Sequence, residues 1–351
     1  MTNVILREVA GSAVERLRQA GVASPEADAR TLLAWVAGIE PWQLATELTG
    51  DVDAERFQEL VDARAAGWPL QYLTGVAYFR TISVAVGPGV FIPRPETESV
   101  VGWALERLQA DPATSLRFAQ DDEVGVTQDD GVGVTQDDEV GVTQDDGVGV
   151  TQDDEVGITQ DHNEKGFRHP ARSRRIWPLA GGARATVVEL CAGSGAISLA
   201  IAAEKPGCRQ FAVELDDEAF RWLAMNCAGT SITPVHADMA DALPDLDGAV
   251  DLVVVNPPYV PENDRPLVAP DVLAHEPEQA LFAGPNGLDA IAVVARTAAR
   301  LLRPGGLLVC EHDETHGATA PALLEATGHF DDIYDHLDLT QRPRFVTARR
   351  R

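Results

Sequence analysis

Positive charge is scarce in this chain: 28 Lys and Arg stand against 55 Asp and Glu, a formal net charge of −27. Such a balance opposes tight, nonspecific binding to long nucleic acid, although it leaves room for a small basic patch. Part of the imbalance is local, because residues 120–159 hold 13 acidic residues and no Lys or Arg; the remainder is acidic too. No apolar run reaches the roughly 20 residues of a membrane-spanning helix. The opening Met1-Thr2-Asn3-Val4-Ile5-Leu6-Arg7-Glu8 lacks the basic-then-apolar order of a secretory signal and is too acidic for a transit peptide. Cysteine is sparse as well. Cys191, Cys208, Cys227 and Cys310 lack metal-ligand spacing and sit in apolar segments. They read as reduced core thiols, so a cytoplasmic setting is expected, with no metal and no membrane partner. What is present is ordinary: 45% hydrophobic content over 351 residues, enough for two domains and a substantial core.

Residues 1–75 read as a small helical domain. Apolar positions at Val9, Ala13, Leu17 and Ala20 keep helical spacing, and Gly21 is a stop. Ser24-Pro25-Glu26 opens a second helix, with serine as N-cap and proline at the first position, running to about Ala37. A third is expected over 53–66. Residues 76–92 form a hairpin linker: 77–86 alternates as a strand and Gly87-Pro88-Gly89 turns. Phe91-Ile92-Pro93-Arg94-Pro95 then opens a second domain, 93–351, whose first helix ends near Leu108. That domain is interrupted over 111–182 by low-complexity chain. Within it, 120–159 are five copies of an octapeptide, Gln-Asp-Asp-(Glu/Gly)-Val-Gly-(Val/Ile)-Thr. Eight residues with one or two aliphatics and paired Asp bury too little to fold, so disorder is expected; an interaction tail is the alternative.

From Thr186 the pattern alternates strand and helix, which predicts an α/β, doubly wound parallel sheet with its ligand at the C-terminal strand ends. Thr186-Val187-Val188-Glu189-Leu190 runs into Cys191-Ala192-Gly193-Ser194-Gly195, a glycine-rich turn that lets a ligand approach the backbone. The next strand ends at Glu214, where an acid can hold ribose hydroxyls, and the one after leads to Asp238 and Met239. Three consecutive strands ending this way predict a nucleoside-type cofactor site.

The sharpest signal is Asp251-Leu252-Val253-Val254-Val255-Asn256-Pro257-Pro258-Tyr259. A β-branched run suits a strand covered on both faces. The two prolines stop it in a stiff turn rich in acceptors and poor in donors. The Asn256 side-chain oxygen and a main-chain carbonyl can each take one N–H of a planar –NH2 group, while Tyr259 covers its flat face. Catalysis would then act by orientation and desolvation. Residues 260–287 form a long polar flap, in which His275 reads as a surface or capping histidine and not as a base. A helix over 288–302, a turn at Arg303-Pro304-Gly305-Gly306, a strand over 307–312, a helix over 318–327 and an antiparallel pair, 332–338 with 344–348, complete the reading.

These motifs in this order resemble the HemK/PrmC family of class I, S-adenosylmethionine-dependent methyltransferases. The resemblance covers nearly everything outside 111–182. It includes Pro69-Leu70-Gln71-Tyr72-Leu73-Thr74-Gly75, the segment from Phe91 to Thr97, Glu189 to Gly195, Asn256 to Tyr259, and Arg303 to Gly306. It implies a seven-stranded sheet, a helical N-terminal substrate-recognition domain, a monomer, and N5-methylation of the glutamine in the Gly-Gly-Gln motif of class I peptide-chain release factors. By that resemblance Cys191, Ala192, Gly193, Ser194 and Gly195 pass along the methionine part of S-adenosylmethionine. Glu214 holds its ribose, and Asp238 and Met239 flank its adenine. Asn256 meets both cofactor and substrate; Asn256, Pro257, Pro258 and Tyr259, with Phe91 and Arg94, bind the substrate glutamine. Cys191 stands where the family often has glycine, and Met239 where an aromatic can stack. Two alternatives are an adenine-N6 or other nucleic-acid amino methyltransferase, which the acidic balance disfavours, and a non-catalytic release-factor or ribosome-binding module.

Overall fold

A computed structural model describes residues 2–44, 52–109 and 184–351; the octapeptide repeats and the whole 111–182 insertion lie outside the described residues. The N-terminal part holds α1 (Thr2–Gln19), α2 (Pro25–Ala37), α3 (Ala54–Ala65) and the short α4 (Leu70–Thr74). Leu17, Leu32, Phe57 and Val61 meet between the first three helices and are fully buried. Asp53 caps α3 by accepting from the Arg56 N–H at 2.9 Å. The expected serine cap is only half realised: Ser24 occupies the N-cap position, but its hydroxyl makes no cap bond.

The hairpin corrects one expectation. Residues 77–86 are two strands, β1 (Val76–Phe79) and β2 (Ile82–Ala85), that turn at Arg80 and Thr81; Gly87-Pro88-Gly89 comes after the hairpin. Arg80 takes a left-handed φ of 51° with no glycine to ease it. Its guanidinium is held by both oxygens of Glu204, and its N–H donates to Glu98. A distant ion pair thus fixes a turn that the local chemistry does not announce.

Then follow α5 (Thr97–Gln109), β3 (Thr186–Leu190), α6 (Ala196–Glu204), β4 (Arg209–Glu214), α7 (Asp217–Cys227), β5 (Ile232–His236) and β6 (Val250–Val255). The flap carries α8 (Pro270–His275), and α9 (Asp289–Leu301), β7 (Leu302–Glu311), α10 (Thr319–Ala326), β8 (Phe330–Leu337) and β9 (Pro343–Arg350) close the chain. Arg303-Pro304-Gly305-Gly306 is not a separate turn but the irregular start of β7, whose pairing with β6 shifts register between Val250 and Leu252. Seven strands form one sheet in the order β5-β4-β3-β6-β7-β9-β8. Pairs from β5 through β7 are parallel, and β9 is antiparallel to both of its neighbours.

Period-two alternation sorts the core into two layers. Val187, Leu252, Val254, Leu307 and Val309 face α5, α6 and the hairpin. Val188, Val253, Val255, Leu308 and Cys310 face α9 and α10. Both faces of β6 are therefore dry, which explains its unbroken aliphatic run. Sheet order reverses between β3 and β6, so their C-terminal ends open a crevice. No helix among the described residues is long and apolar enough to cross a membrane.

Candidate active site

That crevice is a cavity of about 370 Å³. It gathers Cys191, Ala192, Gly193 and Ser194 from the loop after β3, Glu214 from the end of β4, Asp238 and Met239 from beyond β5, and Asn256 to Tyr259 from the end of β6. Phe91 and Arg94 reach it from the hairpin side. Of the residues expected to meet cofactor or substrate, Gly195 alone is not on the wall. It has a φ of +83°, and a Cβ there would stand 2.7 Å from the Leu223 side chain, so helix packing is what requires its glycine. At Gly193, with φ +54°, an added Cβ would find only Val90 at 4.0 Å; this glycine keeps backbone open toward the cavity.

The acids are built in. Glu214 accepts from the Gly193 N–H at 2.7 Å, and from the Leu215 and Asp216 N–H groups at 2.9 Å each. These bonds tie the end of β4 to the glycine loop and hold the carboxylate rigid. Glu189, buried at the end of β3, accepts from the Ser198 N–H at 2.9 Å, and burial pushes its pKa up to about 8. With Asp216 and Asp238 on the same wall, the lining is acidic, and its basic member Arg94 is already paired with Glu276. Cys191 sits with a strained φ of 54° and its Sγ 3.6 Å from Met239 Sδ. Burial first, then Glu214, Glu189 and Asp238, raise its pKa well above the ordinary thiol range. The group is a neutral thiol and a poor nucleophile.

At the end of β6, Asn256 Nδ2 donates to Thr97 Oγ1 at 3.0 Å. Its Oδ1 and the Pro257 carbonyl accept no hydrogen bond among the described residues. Tyr259 lines the wall, and its hydroxyl donates to Glu311 Oε1 at 3.0 Å; Glu311 itself is not on the wall. Burial and the neighbouring Glu311 raise the phenol's pKa far above its usual value, so the proton stays on tyrosine. Glu311, at the end of β7, is itself completely buried, and burial pushes its pKa up to about 7.

The flap folds back on the motif. The Tyr259 and Val260 N–H groups both donate to Leu281 O, at 3.2 and 2.8 Å, and Ala283 N–H returns to Val260 O at 3.1 Å. Gln279 donates to Asp216 across the mouth. Glu276 accepts from the Ile92 N–H at 3.1 Å and pairs with Arg94. His275 lies against Trp68 with the two rings tilted by 34° and their centroids 4.5 Å apart, and is not on the cavity wall. Sequence reasoning passed over Thr97, Glu276 and Glu311. A lone acid closing the apolar run 307–310 was the available signal for Glu311.

Comparison with known proteins gives matches to the PrmC N-terminal domain over residues 8–75 and to the methyltransferase small domain over residues 178–287. The release factor glutamine methyltransferase of Streptomyces coelicolor is 39% identical over 348 residues, 99% of both chains. That of Mycolicibacterium smegmatis is 36% identical over 351 residues, 98% of both. The 4-amino-L-phenylalanine/4-methylamino-L-phenylalanine methyltransferase of Streptomyces pristinaespiralis is 33% identical over 327 residues, 93% of this chain and 89% of that one.

Proposed function

The chain belongs to the family of release factor glutamine methyltransferases, and from that premise we propose that it methylates the side-chain amide nitrogen, N5, of the glutamine in the Gly-Gly-Gln motif of class I peptide-chain release factors. The methyl donor in this reading is S-adenosylmethionine, which when bound supplies a methyl group on a cationic sulfonium. The observation that carries the reading is the pair of open acceptors, Asn256 Oδ1 and the Pro257 carbonyl, on one wall of the acidic cavity. Each acceptor takes one N–H of a planar –NH2 and thereby fixes the nitrogen's orientation; no side-chain nucleophile is needed.

The residues present fit the donor. The carboxylates of Glu214, Asp216 and Asp238 suit a positively charged guest and disfavour the phosphates of a nucleic acid. Glu214, held rigid by three main-chain N–H groups, is assigned to the ribose hydroxyls. The loop from Cys191 to Gly195 is assigned to the methionine part, and Asp238 and Met239 to the adenine. The neutral Cys191 thiol keeps a competing nucleophile out of the site. Tyr259, Pro258, Phe91 and Arg94 are assigned to the substrate glutamine and the residues beside it. Residues 8–75 are assigned to release-factor contact; exposed Trp42 and nearby Tyr78, which donates to Glu40, provide apolar surface there. A release factor as substrate places the reaction in the cytoplasm.

The test is incubation of the full chain with labelled S-adenosylmethionine and a release factor, and separately with DNA, followed by mass spectrometry of the glutamine. Label on the glutamine amide is expected, and Asn256→Ala is expected to abolish it while cofactor binding persists. Label on DNA alone, or near-normal turnover by the alanine variant, would overturn the reading.

A further inference from the structure

We propose that Glu276, acting through Arg94, is a positioning residue that keeps the positive charge of the cavity wall cancelled, so that the site favours a sulfonium guest over the neutral thioether left once its methyl group has gone. This rests on the methyl donor assigned above and goes on to how the site tells donor from spent product.

The wall sets the carboxylates of Glu214, Asp216 and Asp238 against one cation, Arg94. Glu189, which burial pushes up to about 8, is mostly protonated at neutral pH and adds little. A bare guanidinium would be out of place here, because it repels the cation that the three acids attract. Yet Arg94 is held where it is. Its guanidinium carbon lies 4.8 Å from the centroid of the Phe91 ring. Tyr72 donates to Val90 O at 2.6 Å and so pins the same short segment from the N-terminal side.

Glu276 removes the conflict. Its carboxylate spans that segment, Oε2 accepting from the Ile92 N–H at 3.1 Å and Oε1 from Arg94 Nη2. The Glu276 side chain is 1% exposed and is not on the wall, whereas Arg94 is 29% exposed and is on it. The acid thus stands behind the arginine, sealed from the water that would screen it. From the cavity the pair counts as neutral, and the three wall carboxylates alone act on a charged guest.

The consequence is selective. S-adenosylmethionine and its product S-adenosylhomocysteine share adenine, ribose and amino-acid groups; they differ in one methyl and one positive charge. Breaking the S–CH3 bond leaves its electron pair on sulfur, so the guest becomes neutral. The product keeps the shared contacts but loses the pull of the wall, which lets fresh donor displace it. Without Glu276, Arg94 would repel the donor and leave the product almost untouched. For unit charges roughly 10 Å apart at an effective dielectric constant of about 30–50, the change in donor affinity is about 3- to 6-fold.

The experiment is calorimetry of the full chain with S-adenosylmethionine and, separately, S-adenosylhomocysteine, for wild type, Glu276→Gln, Arg94→Gln and the double variant. The readout is Kd of the product divided by Kd of the donor, in which every contact that the two molecules share cancels. Glu276→Gln keeps an acceptor for the Ile92 N–H and should lower this ratio about 3- to 6-fold, through the donor. Arg94→Gln strips the cation from the wall and should raise it; this variant decides the matter should Glu276→Gln fail to fold. In the double variant the ratio should return to within about twofold of wild type, because charge and countercharge leave together. A merely structural Glu276 would weaken donor and product alike and leave the double variant no better than the single. That pattern, or an Arg94→Gln ratio at or below wild type, would overturn the proposal. Wild-type chain that binds neither molecule would remove the assigned donor and this proposal with it, whereas normal wild-type binding with the variant ratios out of order would sink the proposal alone.

Discussion

Changing Tyr259 to phenylalanine removes one oxygen from a place where a buried charge depends on it. The Tyr259 hydroxyl donates to Glu311 Oε1 at 3.0 Å, and Glu311 is completely buried. Burial raises the carboxyl from an ordinary 4.5 to about 7, against hydrogen bonding from Thr97 and Tyr259 and the pull of Arg344, while Glu96 pushes it higher. A group with a raised folded pKa stabilises fully below its unfolded value, and that contribution is lost as pH rises through the folded one. Near neutrality, then, Glu311 is losing the stability that its neutral form confers. A hydrogen bond to an ionised carboxylate is worth about 1.5–3 kcal/mol, and a pH unit corresponds to about 1.4 kcal/mol. Losing the phenol should accordingly lift the folded pKa by roughly one to two further units. Urea unfolding of wild type and Tyr259→Phe at about pH 5 and about pH 9 reads this directly. At the higher pH the variant should be less stable by about 1.5–3 kcal/mol. At the lower pH, where Glu311 is protonated in both proteins, the gap should shrink to about 1 kcal/mol or less. A gap that ignores pH, or widens as pH falls, would show that the tyrosine does not support the ionised carboxylate.

Two further substitutions probe backbone geometry. Gly287 has a φ of +71°, and a Cβ there would lie 2.2 Å from Tyr259 O and 2.9 Å from the His316 ring. Gly287→Ala should cost about 1–3 kcal/mol, displace the Tyr259 carbonyl and cut kcat; an unchanged melting temperature and turnover would refute the close approach. At Cys191, with φ 54°, the strain belongs to the Cβ. Cys191→Gly should therefore be more stable than Cys191→Ala by about 1 kcal/mol in chemical denaturation, and the reverse order would contradict it.

Local chemistry and periodicity carry a good deal of this protein. Proline at the start and a left-handed Gly38 at the end delimit α2 within the chain's own sequence, and β3 follows from a short aliphatic run ending in a glycine loop. The hairpin over 76–92 was legible, but its turn was not, because alternation runs straight through Arg80 and Thr81, and the turn is stabilised by Glu204, 124 residues away. The start of β7 was misread for a related reason. Pro304-Gly305-Gly306 has turn composition, yet neighbouring β6 accommodates it as an irregularity in the ladder.

The active site divides in the same way. The sequence by itself determined that a buried strand ends in Asn256-Pro257-Pro258-Tyr259, and that such a turn presents acceptors, because prolines have no N–H and fix their own dihedrals. Only the tertiary structure decided that Glu276 neutralises Arg94, that Gly195 serves helix packing, and that Thr97 takes the amide nitrogen of Asn256. The physical reason is that a motif specifies which donors and acceptors exist, whereas the direction of each bond depends on partners that sheet topology brings from elsewhere in the chain.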